Sequence, residues 1–287
     1  MTINGQHNVS SLKPKIRKVL WYTGLSVFAF CILFPFMWML RSSVSSPQSL
    51  VTLPPEYLPS PTLENFRTLS EQIPLLRYTL NSLVFASVTA ILTVAVSFIA
   101  AYAFARISFP GSSALLWVLV LSMALPEIAT IIPLYQILRT MRLLDSLAGL
   151  IVVMSSALAP FTVWVFVPFI RQVPVAVEEA AVLDGANLWT ILRKIYLPIC
   201  TPAIATMLII NFINTWNNLL YPLAFSITTR SRCLSIAITE VFQTQVPWGK
   251  PWHLISALGV TMVIPVLILI LCSQRAVVCG LTRGAIK

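Results

Sequence analysis

Residues 171–202 read RQVPVAVEEAAVLDGANLWTILRKIYLPICTP, and this stretch decides how the chain on either side of it is understood. Pro174 suits the first turn of a helix, where its missing N–H would have no partner anyway. A helical run then covers Val175 to Asp184. Gly185 can take the left-handed geometry that ends a helix, and Asn187 can cap a second one. In that second helix Leu188, Ile191, Leu192 and Ile195 recur at i, i+3, i+4 and i+7 and so share a face. Arg193 and Lys194 are expected near its C-terminal end, where positive charge is favoured, and Pro198 is expected to stop it. The stretch therefore predicts a helix–turn–helix.

Two readings of that motif stand side by side. It is an amphipathic connector, or it is an element that docks on another protein. Ala180 and Ala181 are adjacent small residues that permit close approach. Glu178, Glu179 and Asp184 place acid on a surface that would favour basic residues if it lay against anionic lipid. These residues alone leave both readings open.

Outward from this loop the chain is apolar. It has 287 residues, 57% hydrophobic and only 10% charged, with a mean hydropathy of +0.86. A soluble domain carries about a quarter charged residues, so lipid is the natural solvent for this composition. A membrane-crossing helix needs about twenty mostly apolar residues. Six segments meet that length: 19–40, 79–104, 112–135, 147–170, 202–223 and 254–272. Helices are expected because backbone groups in lipid must be satisfied within the segment. The fold class is thus all-α and integral to a membrane. Residues 1–18 form an N-terminal segment, 19–272 a six-span domain containing the 171–201 loop, and 273–287 a tail.

Lys13, Lys15, Arg17 and Lys18 precede the first span. They resemble the start of a signal peptide, but the apolar core is too long for one, so an uncleaved helix with a cytoplasmic N-terminus is expected. Six crossings bring the C-terminus back to the cytoplasm, with a small excess of Lys and Arg on that side. The loop 41–78 then lies outside. It carries Pro47, Pro54, Pro55, Pro59, Pro61 and Pro74 and should form an irregular cap.

The net charge of +10 is scattered between apolar runs rather than gathered on one face, which argues against nucleic acid as a partner. The five cysteines form no CxxC pair, and four lie in or beside apolar segments, as small buried hydrophobes do. His7 and His253 have no ligand-spaced partner. No HExxH, GxSxG or GxxxxGK[ST] pattern occurs. No catalytic residue, metal site or cofactor is therefore expected in this chain, and any ATP that drives it must bind elsewhere.

Two groups of polar residues fall inside the spans. Glu127 stands in the third, beside Pro126, which can kink the helix. An acid within the membrane is either part of a solute path or a structural carboxylate bonded to a neighbouring helix. In the fifth span Asn211, Asn214, Asn217 and Asn218 fall at i, i+3, i+6 and i+7, a spacing that makes one polar stripe, with Trp216 beside it. Amides offer donors and acceptors, and an indole offers a flat face, which together suit a sugar. The alternative is that the amides bond across helices.

Glu179-Ala180-Ala181, three residues, Gly185, nine residues, then Ile195-x-Leu197-Pro198 resembles the full EAA motif of binding-protein-dependent ABC importer permeases. That resemblance implies that the first short helix, with Glu179, Ala180, Ala181, Asp184 and Gly185, docks in a cleft of a separate ATPase subunit. Other segments are similar to the carbohydrate branch of that family, of the maltose and glycerol-phosphate type. They are Asn81-Ser82, Ala101–Arg106 with Phe109-Pro110-Gly111, Thr62–Phe66, Ile132–Tyr135, and Trp216-Asn217 with Tyr221–Leu223. The tail 280–287 resembles the end of the MalG-like half of a permease pair. Asn218 departs from the family, which often has an acid there.

The resemblance implies a heterodimer with a second permease subunit, a dimer of ATPase subunits carrying ATP and Mg, and an extracytoplasmic binding protein that delivers the carbohydrate. A non-sugar importer, for a polyamine or phosphonate for example, would share the loop but not the flanking patterns. An intramembrane enzyme would need a catalytic partner for Glu127, and a secondary transporter would show internal repeats.

Overall fold

The computed structural model describes residues 12–50, 52, 54, 56–57, 59–244 and 249–285, and their side chains from 16 to 273. His7, Pro55, the tail residues Ile286 and Lys287, and the side chains of Lys13, Lys15 and Gln274 onward lie outside the described residues.

The chain is all-α. Its helices are α1 (Leu12–Ser43), α2 (Glu64–Gln72), α3 (Leu75–Arg106), α4 (Ser112–Ser122), α5 (Glu127–Thr140), α6 (Leu147–Arg171), α7 (Val175–Leu183) and α8 (Leu188–Ile191). After a π-helical turn (Leu192–Tyr196) come α9 (Leu197–Asn217), α10 (Leu220–Phe225), α11 (Leu234–Gln243) and α12 (Trp252–Ala285). Five helices are long and apolar enough to cross a membrane, and six spans result when α4 and α5 count as one broken span. The chain divides into two compact units. One holds the residues up to Leu69 with Thr244–Val260, the other Ser70–Gln243 with the residues from Thr261 on.

In the first unit α1 exposes apolar side chains along its membrane-spanning length, Trp21, Phe28 and Met37 among them, as a helix bathed in lipid does. Its C-terminal carbonyls have no partner within the helix. The buried amide of Asn65 closes that end, donating to Ser43 O at 2.8 Å and Ser45 O at 2.7 Å. Arg41 adds a bond to Tyr57 O at 3.3 Å. The proline-rich segment is thus fastened to the helix it follows.

In the second unit α3 packs along α6 and α9. Lipid gives apolar faces no reason to associate, so such pairs rely on close packing and on bonds between helices. The buried face of α3 accordingly carries the small residues Ala86, Thr89, Ala90, Thr93, Ser97 and Ala101 along its middle, with the larger Tyr78, Phe85 and Tyr102 toward its ends. Phe98 fills the remaining space, its ring edge-on to Phe166 of α6 at 5.7 Å. The turn from α5 to α6 needs Gly149, because a Cβ there would lie 2.2 Å from Leu143 O.

Two expectations change. The third span is not one helix: α4 and α5 meet at 104°. Proline has no N–H to continue the ladder and pushes the residue before it toward extended backbone. Pro126 itself sits at ψ 133°, outside helical geometry. Pro198, by contrast, does not stop the helix after the loop. The preceding π-helical turn lets Leu197 N–H bond Leu192 O, five residues back, and the helix runs on through Pro198 in its first turn. Arg193 and Lys194 therefore sit inside a continuing helix, and the expected interaction with its C-terminal end does not arise.

Candidate functional site

Two places in the second unit gather polar side chains beside the apolar spans. The first is the helix–turn–helix. The end of α7 has the geometry its glycine suggests. Gly185 has φ +80°, Ala186 N–H bonds Ala181 O at 2.9 Å, and Gly185 N–H bonds Val182 O at 3.0 Å. This pair of bonds satisfies the last carbonyls and turns the chain sharply. Asn187 Oδ1 then accepts from Thr190 N–H at 2.9 Å and starts α8. Of the four apolar residues expected to share a face, Ile191 and Leu192 are buried and Ile195 is half-buried, but Leu188 is 52% exposed. Tyr196 takes the place beside them, fully buried.

One side of α7 is tied down by a residue outside the expected site. The carboxylate of Glu178 accepts the hydroxyl of Tyr102 from α3 and that of Tyr196 at 2.5 Å. Arg106 Nε lies 3.6 Å away, an ion pair rather than a hydrogen bond. The Arg106 guanidinium also donates to Ile170 O at 3.0 Å and to Val173 O at the end of α6, and stands 5.4 Å from the Tyr196 ring centroid. A positive group there suits the negative end of α6, and a carboxylate in the first turn of α7 suits its positive end. The two tyrosine rings meet edge-on at 5.2 Å. One joint thus fastens α7 to α3, to the end of α6 and to the start of α9. Composition could not have found it, because Tyr102 and Glu178 lie 76 residues apart. The available signal was the polar pair Tyr102 and Arg106, one turn apart at the end of an apolar span.

The other side of α7 is open. Glu179, Val182 and Leu183 line a cleft of about 620 Å³ with Val175 and Ala105, and its floor reaches Glu178 and Arg106 of the joint. Leu183 is 88% exposed and Trp189 65%. Glu179, Ala180, Asp184 and Gly185 are exposed, while Ala181 is half-buried against the core. Ile195 packs inward, and Leu197 and Pro198 are exposed on the first turn of α9. The expected site residues therefore divide: the N-terminal group forms an open surface, and Ile195 belongs to packing.

The second place is the elbow between α4 and α5. Glu127 lies in the first turn of α5 rather than in the middle of a helix, and it is exposed. Asn218 Nδ2 donates to its Oε2 at 3.2 Å, and Asn218 Oδ1 accepts from Tyr221 N–H at 3.1 Å. Glu127, Thr130, Ser156, Asn214 and Tyr221 line a cleft of about 510 Å³ together with apolar residues such as Phe161 and Pro160.

The asparagine stripe does not hold together as one surface. Asn211 is fully buried and bonds Thr162 of α6 at 3.1 Å, so it joins helices. Asn214 and Asn217 are exposed. Asn218 lies past the helix end in extended backbone, so helical spacing no longer sets its direction. Trp216 is buried, stacks on Phe212 at 5.9 Å, and donates its indole N–H to Met262 O at 3.1 Å. It offers no open face to a solute in this structure.

Outside the spans one carboxylate is strongly perturbed. Burial pushes Asp145 up, but hydrogen bonds from the Ser231 and Thr228 hydroxyls and from Thr228 and Ile227 N–H outweigh it and hold it at about 2. Asp145 thereby fastens the segment 227–231 to the α5–α6 turn.

Comparison with known proteins gives a consistent picture. Residues 93–283 match the model of the family "Binding-protein-dependent transport system inner membrane component". The chain is 32% identical to the sulfoquinovosyl glycerol transport system permease protein SmoH of Agrobacterium fabrum, with 94% of each chain covered. It is also 32% identical to the trehalose/maltose transport system permease protein MalG of Thermococcus litoralis, over 95% of this chain and 98% of that one. Among solved structures, a chain of a bacterial ABC transporter involved in import of the acidic polysaccharide alginate shares the fold. Its TM-score is 0.78 at 19% identity, covering 96% of this chain and 99% of that one.

Proposed function

This chain belongs to the family of binding-protein-dependent transport system inner membrane components, and from that premise we propose that it is the permease subunit of an ATP-driven importer for a carbohydrate. The observation that carries the reading is the two-sided α7. Its inner side is clamped by Glu178, and its outer side presents Glu179, Ala180, Val182 and Leu183 to something outside the chain. An ATPase subunit is the partner that fits, with ATP and Mg bound there. The 88% exposed Leu183 is an anchor of the kind that protein interfaces bury. Glu178 acts through α7 as a positioning residue. Because the joint is fixed, displacement of α7 by the ATPase moves the ends of α3, α6 and α9 with it.

A second permease subunit faces this one across the solute path and completes it, and a binding protein delivers the solute. Both termini lie on the ATPase side. The carbohydrate assignment draws on the relatives named for saccharides and on the flanking segments around Ala101–Arg106.

The test is purification of the tagged chain from its own membranes in mild detergent, followed by mass spectrometry. A second permease and an ATPase in stoichiometric amounts are expected, with crosslinks from Ala180→Cys to the ATPase. A chain that purifies alone and gives no ATPase crosslink in intact membranes would falsify the reading.

A further inference from the structure

We propose that the cleft at the α4–α5 elbow is this subunit's contact surface for the transported solute, and that it selects a saccharide without negative charge. The inference rests on the importer reading above and goes further by naming a surface and a cargo class.

Three independent features converge there. First, the backbone breaks inside a span. Eleven residues of α4 rise about 16 Å, roughly half the hydrocarbon thickness, before the 104° bend. Non-helical backbone at such depth is tolerated only where it is buried in protein or lines water. The last N–H groups before the break are bonded, Ala124 to Leu121 O at 3.0 Å and Leu125 to Ser122 O at 3.2 Å, and Pro126 O accepts Ala129 N–H at 3.0 Å, but the backbone from Met123 to Pro126 belongs to neither helix. Second, an exposed carboxylate sits on the break. Acids in membrane segments face a bundle interior or a water-filled cavity, and Glu127 lines this cleft while accepting from the Asn218 amide at 3.2 Å. Third, the lining alternates in character. Phe161 offers a half-buried apolar ring and Asn214 an exposed amide, while Thr130 and Ser156 donate their protons to Glu127 O and Val153 O at 2.7 Å and offer hydroxyl oxygens that can still accept, with Pro160 and Tyr221 buried behind them. A pyranose has the matching pattern, C–H faces edged by hydroxyls.

Charge sets the class. Among the described residues that line the cleft the one charged group is Glu127, and none is Lys or Arg. A carboxylate can accept two hydroxyl protons from a neutral sugar, but it repels a uronate, sulfonate or phosphate. The similar proteins carry names that include both neutral and acidic saccharides, so the distinction is a real one for this chain.

The experiment uses the whole importer, with its partner subunits and binding protein, in proteoliposomes. The five native cysteines are replaced and Ser156→Cys is introduced. Labelling is compared for a cationic and an anionic methanethiosulfonate reagent of similar size. The cationic reagent is expected to react about tenfold faster, and Glu127→Gln should bring the ratio near one. Maltose or trehalose, supplied during ATP turnover, should slow labelling. An introduced thiol that reacts with neither reagent would mean that a helix of the partner subunit fills the cleft, and the proposal falls. So it does if the ratio ignores Glu127→Gln, or if a glucuronate-containing disaccharide is taken up in preference to the neutral ones. ATP-driven uptake by the cysteine-free parent separates the two levels. Uptake of any saccharide with an indifferent cleft overturns only this inference, whereas no saccharide uptake at all overturns the carbohydrate reading beneath it.

Discussion

Glu178 and Glu127 are both carboxylates in the first turn of a helix that follows a proline, yet they do opposite things. Glu178 takes two tyrosine hydroxyls and lies beside a guanidinium that is itself bonded to the end of α6. Glu127 accepts from the Asn218 amide and has an open cleft in front of it. Glu127 opens its helix and Glu178 is the fourth residue of its own, and a first-turn acid favoured by the helix dipole becomes a fixed joint where tertiary neighbours converge and an available acceptor where they do not. Function at one site depends on what the carboxylate holds still, and at the other on what it is left able to bind.

The contrast can be broken from either side. Gly185→Pro should have the largest effect. The φ of +80° cannot be reached by proline, and the Gly185 N–H bond to Val182 O is lost. The chain should still insert in the membrane while solute-stimulated transport falls to background, and normal uptake would show that the shape of the turn is irrelevant.

Next comes Glu178→Leu, which strands two tyrosine hydroxyls and leaves Arg106 with its carbonyl partners but no carboxylate. Loss of hydrogen bonds to a charged group should weaken the seating of α7 by about 3 kcal/mol. Hydrogen exchange at the amides of α7 should rise, and ATP hydrolysed per solute transported should increase. If exchange is unchanged, the joint is not what holds the helix.

Asp145 supplies a smaller effect with a defined pH window. Its folded-state value is near 2, below the ordinary carboxylate value of about 3.9. The stability it contributes is therefore fully present above about pH 4 and is lost as the pH falls through about 2. Protection of the 227–231 amides should be flat from pH 8 to 5 and decline only below 4, and Asp145→Asn should abolish that decline.

The smallest effect belongs to Glu127→Gln. Melting of the purified complex should move by no more than about 0.5 kcal/mol, since little is built on this side chain. A large loss of stability would make Glu127 a second joint and remove the comparison.

What could be read in advance follows the range of the interactions involved. The first, second, fourth and sixth spans, the left-handed Gly185 and the Asn187 cap are local matters of composition and spacing, and they appear where expected, while the fifth span begins and ends earlier along the chain than its apolar run suggests. Pro126 announced a kink, but the 104° angle depends on packing beyond the helix. The second short helix does not end at Pro198 because a π-helical turn, which no residue type signals, accommodates the proline. The asparagine spacing suggested one surface, but α9 turns Asn211 toward Thr162 and ends before Asn218. Glu178 was visible only as acid on a loop. Its partners lie on α3 and on the π-helical turn, and no pattern within a single helix could supply them.

The amide of Asn65 has a consequence for the order of events during synthesis. It completes α1 from 22 residues downstream of Ser43. A ribosome adds about 5–20 residues per second, so α1 emerges about one to four seconds before the group that closes its end. During that interval the carbonyls of Ser43 and Ser45 must be held by water or by the insertion machinery. The first span is therefore finished in two instalments, and the proline-rich segment is the part of the nascent chain that brings the second.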